Sequence, residues 1–195
     1  IINVLYWMCL TWAILIYYFA VVYTRPPLFF VSIALCVALL GLGIVTQKPE
    51  NNFQTFIMIL KILLLSLILR GSAYYISPYP VGQDPWTHAA YIEQFLYFAH
   101  LEVRPGFMEY YLQYPLMHLY GVITGVICNI SVKDSMFVIG AILALSSIFV
   151  YFIVKCLTNN MNIALFAVLL VNFADFHIQW SIEVIAMTFG IALYT

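Results

Sequence analysis

Charged residues are the scarcest class in this sequence of 195 residues. Only 8% of its residues are Asp, Glu, Lys or Arg, whereas 65% are hydrophobic. Soluble domains carry about 25% charged residues, and a chain with so few cannot cover its surface for contact with water. The composition therefore excludes a soluble globular protein. It indicates an integral membrane protein whose first partner is the bilayer.

Clusters of positive charge and paired cysteines are also missing. The net charge is -1 and no run of Lys or Arg occurs, which excludes nucleic-acid binding and a polybasic lipid anchor. The four cysteines have no Cys-x-x-Cys spacing and lie in or beside apolar runs. We predict that they act as small hydrophobic residues and not as disulfide partners or zinc ligands. The sequence contains neither an internal repeat nor a low-complexity tract.

Hydrophobic runs dominate what is present, and a membrane-spanning helix needs about 20 apolar residues. The candidate spans are residues 1–23, 28–45, 53–69, 135–157 and 161–174, with a last one beginning near residue 182. The predicted fold class is all-α: a polytopic transmembrane helical bundle with a long external loop that contains membrane-surface helices. We expect a transmembrane hairpin in residues 1–52 and a core in residues 53–195. Because the chain starts without Met and stops inside an apolar run, we expect a piece of a longer protein.

The character of the sequence changes between residues 71 and 134, which we predict to form the first external loop. Several Gly and Pro residues interrupt the chain there, and Asp84 followed by Pro85 predicts an N-cap and the first residue of a helix. Aromatic and polar residues alternate over the following residues to about 101. This mixture favours a helix that lies along the membrane surface over one that crosses.

Residues 114–130 decide the topology, and the sequence leaves their path open. If this segment crosses the membrane, Asp84 and the later polar segment 172–183 lie on opposite faces. If it only dips into the surface, they share a face. The positive-inside rule places the face with more Lys and Arg in the cytoplasm, but four such residues share the predicted outer face with Asp84. The rule therefore does not decide the orientation. These cations are Arg25, Arg70, Arg104 and Lys133. Either they serve anionic ligands, or the orientation is inverted.

Asp84 is the first candidate for a functional residue. As an N-cap it would be held in one orientation and kept ionised by the helix dipole, which suits a catalytic carboxylate as well as a structural one. His88 follows one helical turn later on the same face. It would bind a metal, orient Asp84 or hydrogen-bond a sugar, but an ordinary interfacial histidine explains it equally well.

Glu183 is the second candidate, at the start of the last apolar run. One interpretation places Ser181 as an N-cap with Glu183 in the first helical turn. The other makes Glu183 a second carboxylate facing Asp84, as a divalent-cation site or an acid/base pair. Asp175 and His177, just before it, are weaker candidates that would also suit a solvated turn.

Other polar and aromatic residues have a structural and a functional interpretation. We predict that three cations extend their side chains to the membrane interface, namely Arg70, Arg104 and Lys133. The alternative is that they contact a lipid phosphate. Lys61 lies in mid-span and needs a partner that the sequence does not name. Trp86 and the neighbouring tyrosines fit an aromatic belt first and sugar stacking second.

These residues together resemble a known family. A span, then "GQDPWTH", "QYPLMHLYGVI" and "NISVKDSMFVIGAILALSSIFVYFIVKCLTNN", is similar to the amino-terminal core of GT-C membrane glycosyltransferases. Within that superfamily the chain most resembles the catalytic subunit of oligosaccharyltransferase, especially archaeal forms, in which Asp-Pro-x-x-His begins the first external loop. The resemblance covers roughly residues 53–195.

The resemblance implies an enzyme that transfers a sugar or glycan, with inversion, on the extracytoplasmic face. Its donor would be a polyprenyl or dolichyl phosphate or diphosphate, and its acceptor a protein, glycan or lipid. Asp84 and Glu183 would be the catalytic residues and, where a metal is used, the ligands of Mg²⁺ or Mn²⁺. The residues expected to bind substrate are His88, Arg70, Arg104, Trp86 and His177. The resemblance also implies that residues 114–130 belong to the external loop.

The sequence departs from the oligosaccharyltransferase pattern at the second external loop. The matching stretch is "FHIQWSIEVIAM", in which only Glu183 fits and the expected Arg is missing. Relatives that use monophosphate donors need a carboxylate base but no metal, so both forms of the chemistry stay open. A transporter or scaffold subunit is the alternative from another class. The expected location is a multi-pass position in the cell membrane of a prokaryote or the endoplasmic reticulum of a eukaryote.

Overall fold

The computed structural model describes residues 1–21, 23–47, 51–98 and 115–194, and the regular structure in these ranges is helical. In chain order the helices are α1 Ile2–Phe19, α2 Pro27–Gln47, α3 Asn52–Tyr74, α4 Gln83–Phe98, α5 Leu116–Cys128, α6 Val132–Thr158, α7 Met161–Phe173, α8 Asp175–Ile182 and α9 Ala186–Tyr194. This confirms the prediction of an all-α fold.

Short polar side chains begin several of these helices. The side chains of Asn51, Ser131 and Asn160 each accept a hydrogen bond from a backbone N–H of the following turn. Such caps satisfy N–H groups that have no partner inside the helix. Asn129 and Asn159 end α5 and α6 in the left-handed conformation, which Asn adopts more readily than most residues.

Within the described residues, four helices are long and apolar enough to cross a membrane, namely α1, α2, α3 and α6. A fifth crossing is available if α7 and α8, which meet at a bend of 53°, form one broken span. The 13 residues of α5 extend only about 20 Å, less than the hydrocarbon thickness of about 30 Å. The chain is therefore a multi-pass membrane protein, as predicted.

Contacts between helix ends fix the direction of the spans. The Tyr74 hydroxyl at the end of α3 donates to the Lys133 carbonyl at the start of α6, over 2.8 Å. At the opposite end, Thr55 near the start of α3 lies 3.4 Å from the sulfur of Met161, the first residue of α7. Hence α3 runs antiparallel to α6 and parallel to α7. The end of α3 and the start of α6 therefore meet at one end of the bundle, which we call the site end.

Two hydrophobic clusters hold the bundle together. The larger one joins α1, α2, α3 and α7, with Tyr151 of α6. The smaller one lies at the site end and joins Tyr74, Ile92, Met117, Met136 and Val184 from different elements. The smaller cluster therefore packs the segments that carry the candidate residues against each other. The domain boundary near residue 52 stays a prediction, although the larger cluster includes residues from both sides of it.

Lys61 finds its partner in α1. Its ammonium group donates a 2.7 Å hydrogen bond to the side-chain oxygen of Asn3 and lies 5.5 Å from the ring centre of Tyr6. The Tyr6 hydroxyl in turn donates to the Lys61 carbonyl. A cation buried in a span needs such polar and aromatic neighbours. Lys61 therefore ties α1 to α3.

Two further cations at the site end are engaged by backbone carbonyls. Arg25 donates to the Ser72 carbonyl over 3.0 Å and to the Tyr75 carbonyl over 3.2 Å. Lys133 donates to the Ser77 carbonyl. Arg25 therefore caps carbonyls at the end of α3, where positive charge is favourable. These contacts give both cations a structural role that needs no anionic ligand.

Candidate functional site

Asp84 lies in the first turn of α4 with its side chain exposed. The helix begins at Gln83, so Asp84 is one position inside it and the prediction of an N-cap is wrong by that residue. Gly82 precedes the helix with φ of +94°, a conformation that favours glycine. This turn brings the chain sharply into α4 and leaves the Asp84 carboxylate at the positive end of the helix dipole.

Glu183 stands at the end of α8, where its backbone N–H donates to the Gln179 carbonyl over 2.8 Å. The expectation that Ser181 caps a helix with Glu183 in its first turn is therefore wrong, because the last helix begins only at Ala186. Thr188 orders the intervening turn, since its hydroxyl donates to the Trp180 carbonyl over 2.7 Å.

The Glu183 side chain packs against the turn that begins α4. A Cβ added at Gly82 would lie 3.3 Å from Cγ and 3.5 Å from the carboxyl carbon of Glu183. Gly82 is two residues before Asp84. The two predicted carboxylates therefore reach the same end of the bundle, although about a hundred positions separate them in the sequence.

Two exposed aromatic rings flank this turn. The ring centres of Tyr79 and Trp86 are 4.9 Å apart with 35° between their planes, and the side chains are 57% and 50% exposed. Offset or tilted ring pairs at this spacing are favourable. Their exposed parts give the site end an apolar surface close to Asp84.

His88 is buried within the protein and contacts α5. It is 1% exposed, and its Nδ1 shares a 2.9 Å hydrogen bond with Nε2 of His118. Desolvation by burial lowers the pKa of each ring to about 4, so both are neutral at physiological pH. His88 thus joins α4 to α5, and its position does not present it at the surface beside Asp84.

Arg70 is completely buried in the last turns of α3. Its Nε donates to the Ser181 hydroxyl over 2.7 Å, and one terminal nitrogen donates to His177 Nδ1 over 2.7 Å. The other terminal nitrogen donates to the hydroxyl and the carbonyl of Ser66. Every guanidinium nitrogen is therefore occupied by protein. The expected role of Arg70 in substrate binding stays a prediction, but this geometry favours a structural role.

Small polar residues continue this network into the span interior, and we did not predict them. The Asn172 side-chain nitrogen donates to the Ser147 hydroxyl over 2.6 Å, and its oxygen accepts from Ser66 over 2.8 Å. These residues belong to α7, α6 and α3. Ser and Asn within apolar spans are a signal of hydrogen bonding between helices, and that signal was available in the sequence.

The remaining predicted residues are His177, Asp175 and Arg104. His177 lies in α8, half-buried and bonded to Arg70. Asp175 lies in the first turn of the same helix with its side chain exposed. Arg104 and the predicted end of the surface helix lie outside the described residues.

The fit of a divalent cation rests on the number of ligands. Within residues 1–21, 23–47, 51–98 and 115–194, no group of three or more His, Cys, Asp or Glu side chains is placed to hold a metal ion. Mg²⁺ is usually bound by one or two carboxylates together with substrate phosphates and water. Asp84 and Glu183 alone are thus an incomplete site, and we route no chemical step through a metal.

Comparison with known proteins gives no further assignment. No protein-family model, no curated protein and no solved structure matches this chain.

Proposed function

We propose that this protein is part of a membrane-embedded inverting glycosyltransferase that uses a polyprenyl or dolichyl phosphate or diphosphate donor. The single observation that carries the proposal is the packing of the Glu183 carboxyl group against Gly82, beside Asp84. Both carboxylates lie at the site end of a chain that has only eight acidic residues. Ionisable groups are costly beside a bilayer, and such a concentration indicates a function.

The surroundings of the two carboxylates suit a lipid-linked sugar. The exposed rings of Tyr79 and Trp86 provide an apolar surface on which a sugar ring would stack. The end of α3 and the start of α6 meet at the site end, and we propose that the segment 75–131 between them is the external loop of a GT-C-like fold. In that arrangement the donor's isoprenoid chain would stay in the bilayer while its sugar reached the carboxylates.

The proposed reaction is one displacement at the anomeric carbon. Asp84, the more exposed carboxylate, takes the proton from the acceptor group as general base. The acceptor atom then forms a bond to the anomeric carbon from the face opposite the lipid phosphate. The bond between that carbon and the phosphate oxygen breaks, and its electron pair leaves on the phosphate. Glu183 orients the acceptor, and the configuration at the anomeric carbon is inverted.

This proposal is tested with the full-length protein in proteoliposomes. The assay measures transfer of radiolabelled sugar from a polyprenyl-phosphate donor. Asp84→Asn should lower turnover by about a hundredfold or more, as loss of a general base does, and Glu183→Gln should lower it less. Glu93→Gln is the matched control, because Glu93 is an exposed carboxylate further along α4. Addition of a chelator, followed by Mn²⁺, reports whether the metal-dependent form applies. Unchanged turnover in Asp84→Asn would refute the assignment.

A transporter is a second candidate, and one observation favours it. The 53° bend between α7 and α8 makes a broken helix, and the polar network around Arg70 lies next to it. Broken helices with polar residues at the break are common in transporters. The test measures proton movement into proteoliposomes. Movement that is lost in Arg70→Gln, with no sugar transfer detected, would support this candidate over the transferase.

A further inference from the structure

A fully buried guanidinium must be satisfied by the protein around it. Burying a charge is costly unless hydrogen bonds replace its water shell. Arg70 is 0% exposed, and its partners outside its own helix are Ser181 and His177, both in α8. The charge therefore joins the end of α3 to α8 and to no other described helix.

Helix α6 fixes the opposite side of α8. A Cβ added at Gly140 would lie 2.1 Å from the Ser181 carbonyl oxygen, so the backbone of α8 rests directly on that glycine. The Ser181 side chain meanwhile accepts the hydrogen bond from Arg70. Ser181 is thus held between α3 and α6, two residues before Glu183.

We infer that Arg70 is a positioning residue, which holds the end of α8 so that Glu183 reaches Gly82 at the start of α4. Its catalytic consequence rests on the proposed function, but its structural consequence does not. Arginine suits this role because one planar group directs hydrogen bonds along several fixed directions, whereas the ammonium of lysine is a compact point charge. His177 accepts at Nδ1 and therefore carries its proton on Nε2 when neutral.

Fluorescence of Trp180 tests the structural consequence. Trp180 precedes Ser181 in α8 and is partly buried, so its quenching by acrylamide reports whether α8 stays in place. The background variant has Trp7, Trp12 and Trp86 replaced by Phe, which leaves Trp180 as the single tryptophan. In nanodiscs, Arg70→Gln should raise the quenching constant. Arg70→Lys should raise it as well, because lysine keeps the charge but loses the planar fork.

Lys61→Gln is the matched control. Lys61 is the other buried cation described in α3, at 5% exposure, and its side-chain partner Asn3 lies in α1 and not in α8. Its replacement should lower thermal stability without changing the quenching of Trp180. Ser181→Ala is a milder variant that removes one acceptor and no charge. It should raise the quenching constant by less than Arg70→Gln and keeps the test decisive if Arg70→Gln does not fold.

Kinetics test the catalytic consequence in the protein that retains all its tryptophans. Replacement of a residue that positions another should lower kcat. A shift of about 1 Å in the positioned group costs up to about a hundredfold, and the donor KM should change little. A large rise in donor KM at unchanged kcat would instead place Arg70 on the ligand and overturn the inference. Equal quenching of Trp180 in the wild type, Arg70→Gln and Ser181→Ala would overturn it too. If the wild type transfers no sugar, the proposed function fails and quenching alone decides this inference.

Discussion

At the scale of single residues, several of the few polar side chains in the described residues join helices. Arg70 joins α3 to α8, Lys61 joins α3 to α1, and Asn172 joins α7 to α3 and α6. Lipid solvates apolar side chains as well as a protein core does, so hydrophobic burial alone does little to hold spans together. Hydrogen bonds between polar side chains therefore carry more of the specificity of packing than they do in a soluble protein.

The His88–His118 pair makes the packing of α4 on α5 sensitive to pH. Burial lowers both pKa values to about 4, whereas an unfolded histidine has a pKa of about 6.5. Between these pH values the unfolded segment binds more protons than the folded one. The contribution of the pair to stability is therefore complete above about pH 6.5 and declines as the pH falls towards about 4. We expect amide hydrogen exchange in α4 and α5 to accelerate over that range.

A variant without titratable rings provides the control for this effect. In His88→Phe/His118→Phe, exchange in α4 and α5 should depend less on pH across the same window, after correction for the intrinsic rate. Exchange in α2, which carries no histidine, serves as the internal reference. An identical pH dependence in the variant and the wild type would show that the pair does not control this packing.

At the scale of helices, the sequence predicted most starts and lengths of the long helices but not the bend between α7 and α8. Caps such as Asn51 and Ser131 lie next to apolar runs and signal where spans begin. The break after Phe173 has neither Pro nor Gly, the usual causes of a kink. The direction of α8 depends on Arg70 and Gly140, which are distant in sequence. Local patterns therefore placed Glu183 in the wrong helical turn and left open whether it shares an end of the bundle with Asp84.

Gly140→Ala should destabilise the contact between α6 and α8. The added methyl group would meet the Ser181 backbone oxygen, which cannot rotate away as a side chain can. Overpacking typically costs about 1–3 kcal/mol, and the better helix propensity of Ala offsets about 1 kcal/mol of this. Thermal unfolding in detergent should show a lower Tm. Gly190→Ala is the control, because a Cβ there meets nothing within 4 Å, and its Tm should stay the same or rise.

At the scale of the whole molecule, the topology depends on where the 75–131 segment begins and ends. Composition could not decide this, since α5 is apolar but short and cations lie at both ends of the bundle. The tyrosines at the end of α3 favour a shared end, because Tyr74 and Tyr75 each hydrogen-bond the first turn of α6. Those contacts link residues about 60 positions apart, which no local pattern reveals.

Cysteine labelling tests this topology with residues that the chain already has. Cys128 ends α5 and Cys156 lies near the far end of α6, and both are exposed. In a background of Cys9→Ala and Cys36→Ala, we add Tyr79→Cys at an exposed position before α4. A membrane-impermeant maleimide applied to sealed, uniformly oriented vesicles should label positions 79 and 128 from the same side. Cys156 should react only from the other side. If α5 crossed the membrane alone, positions 79 and 128 would label from opposite sides, and Asp84 and Glu183 would be separated by the bilayer.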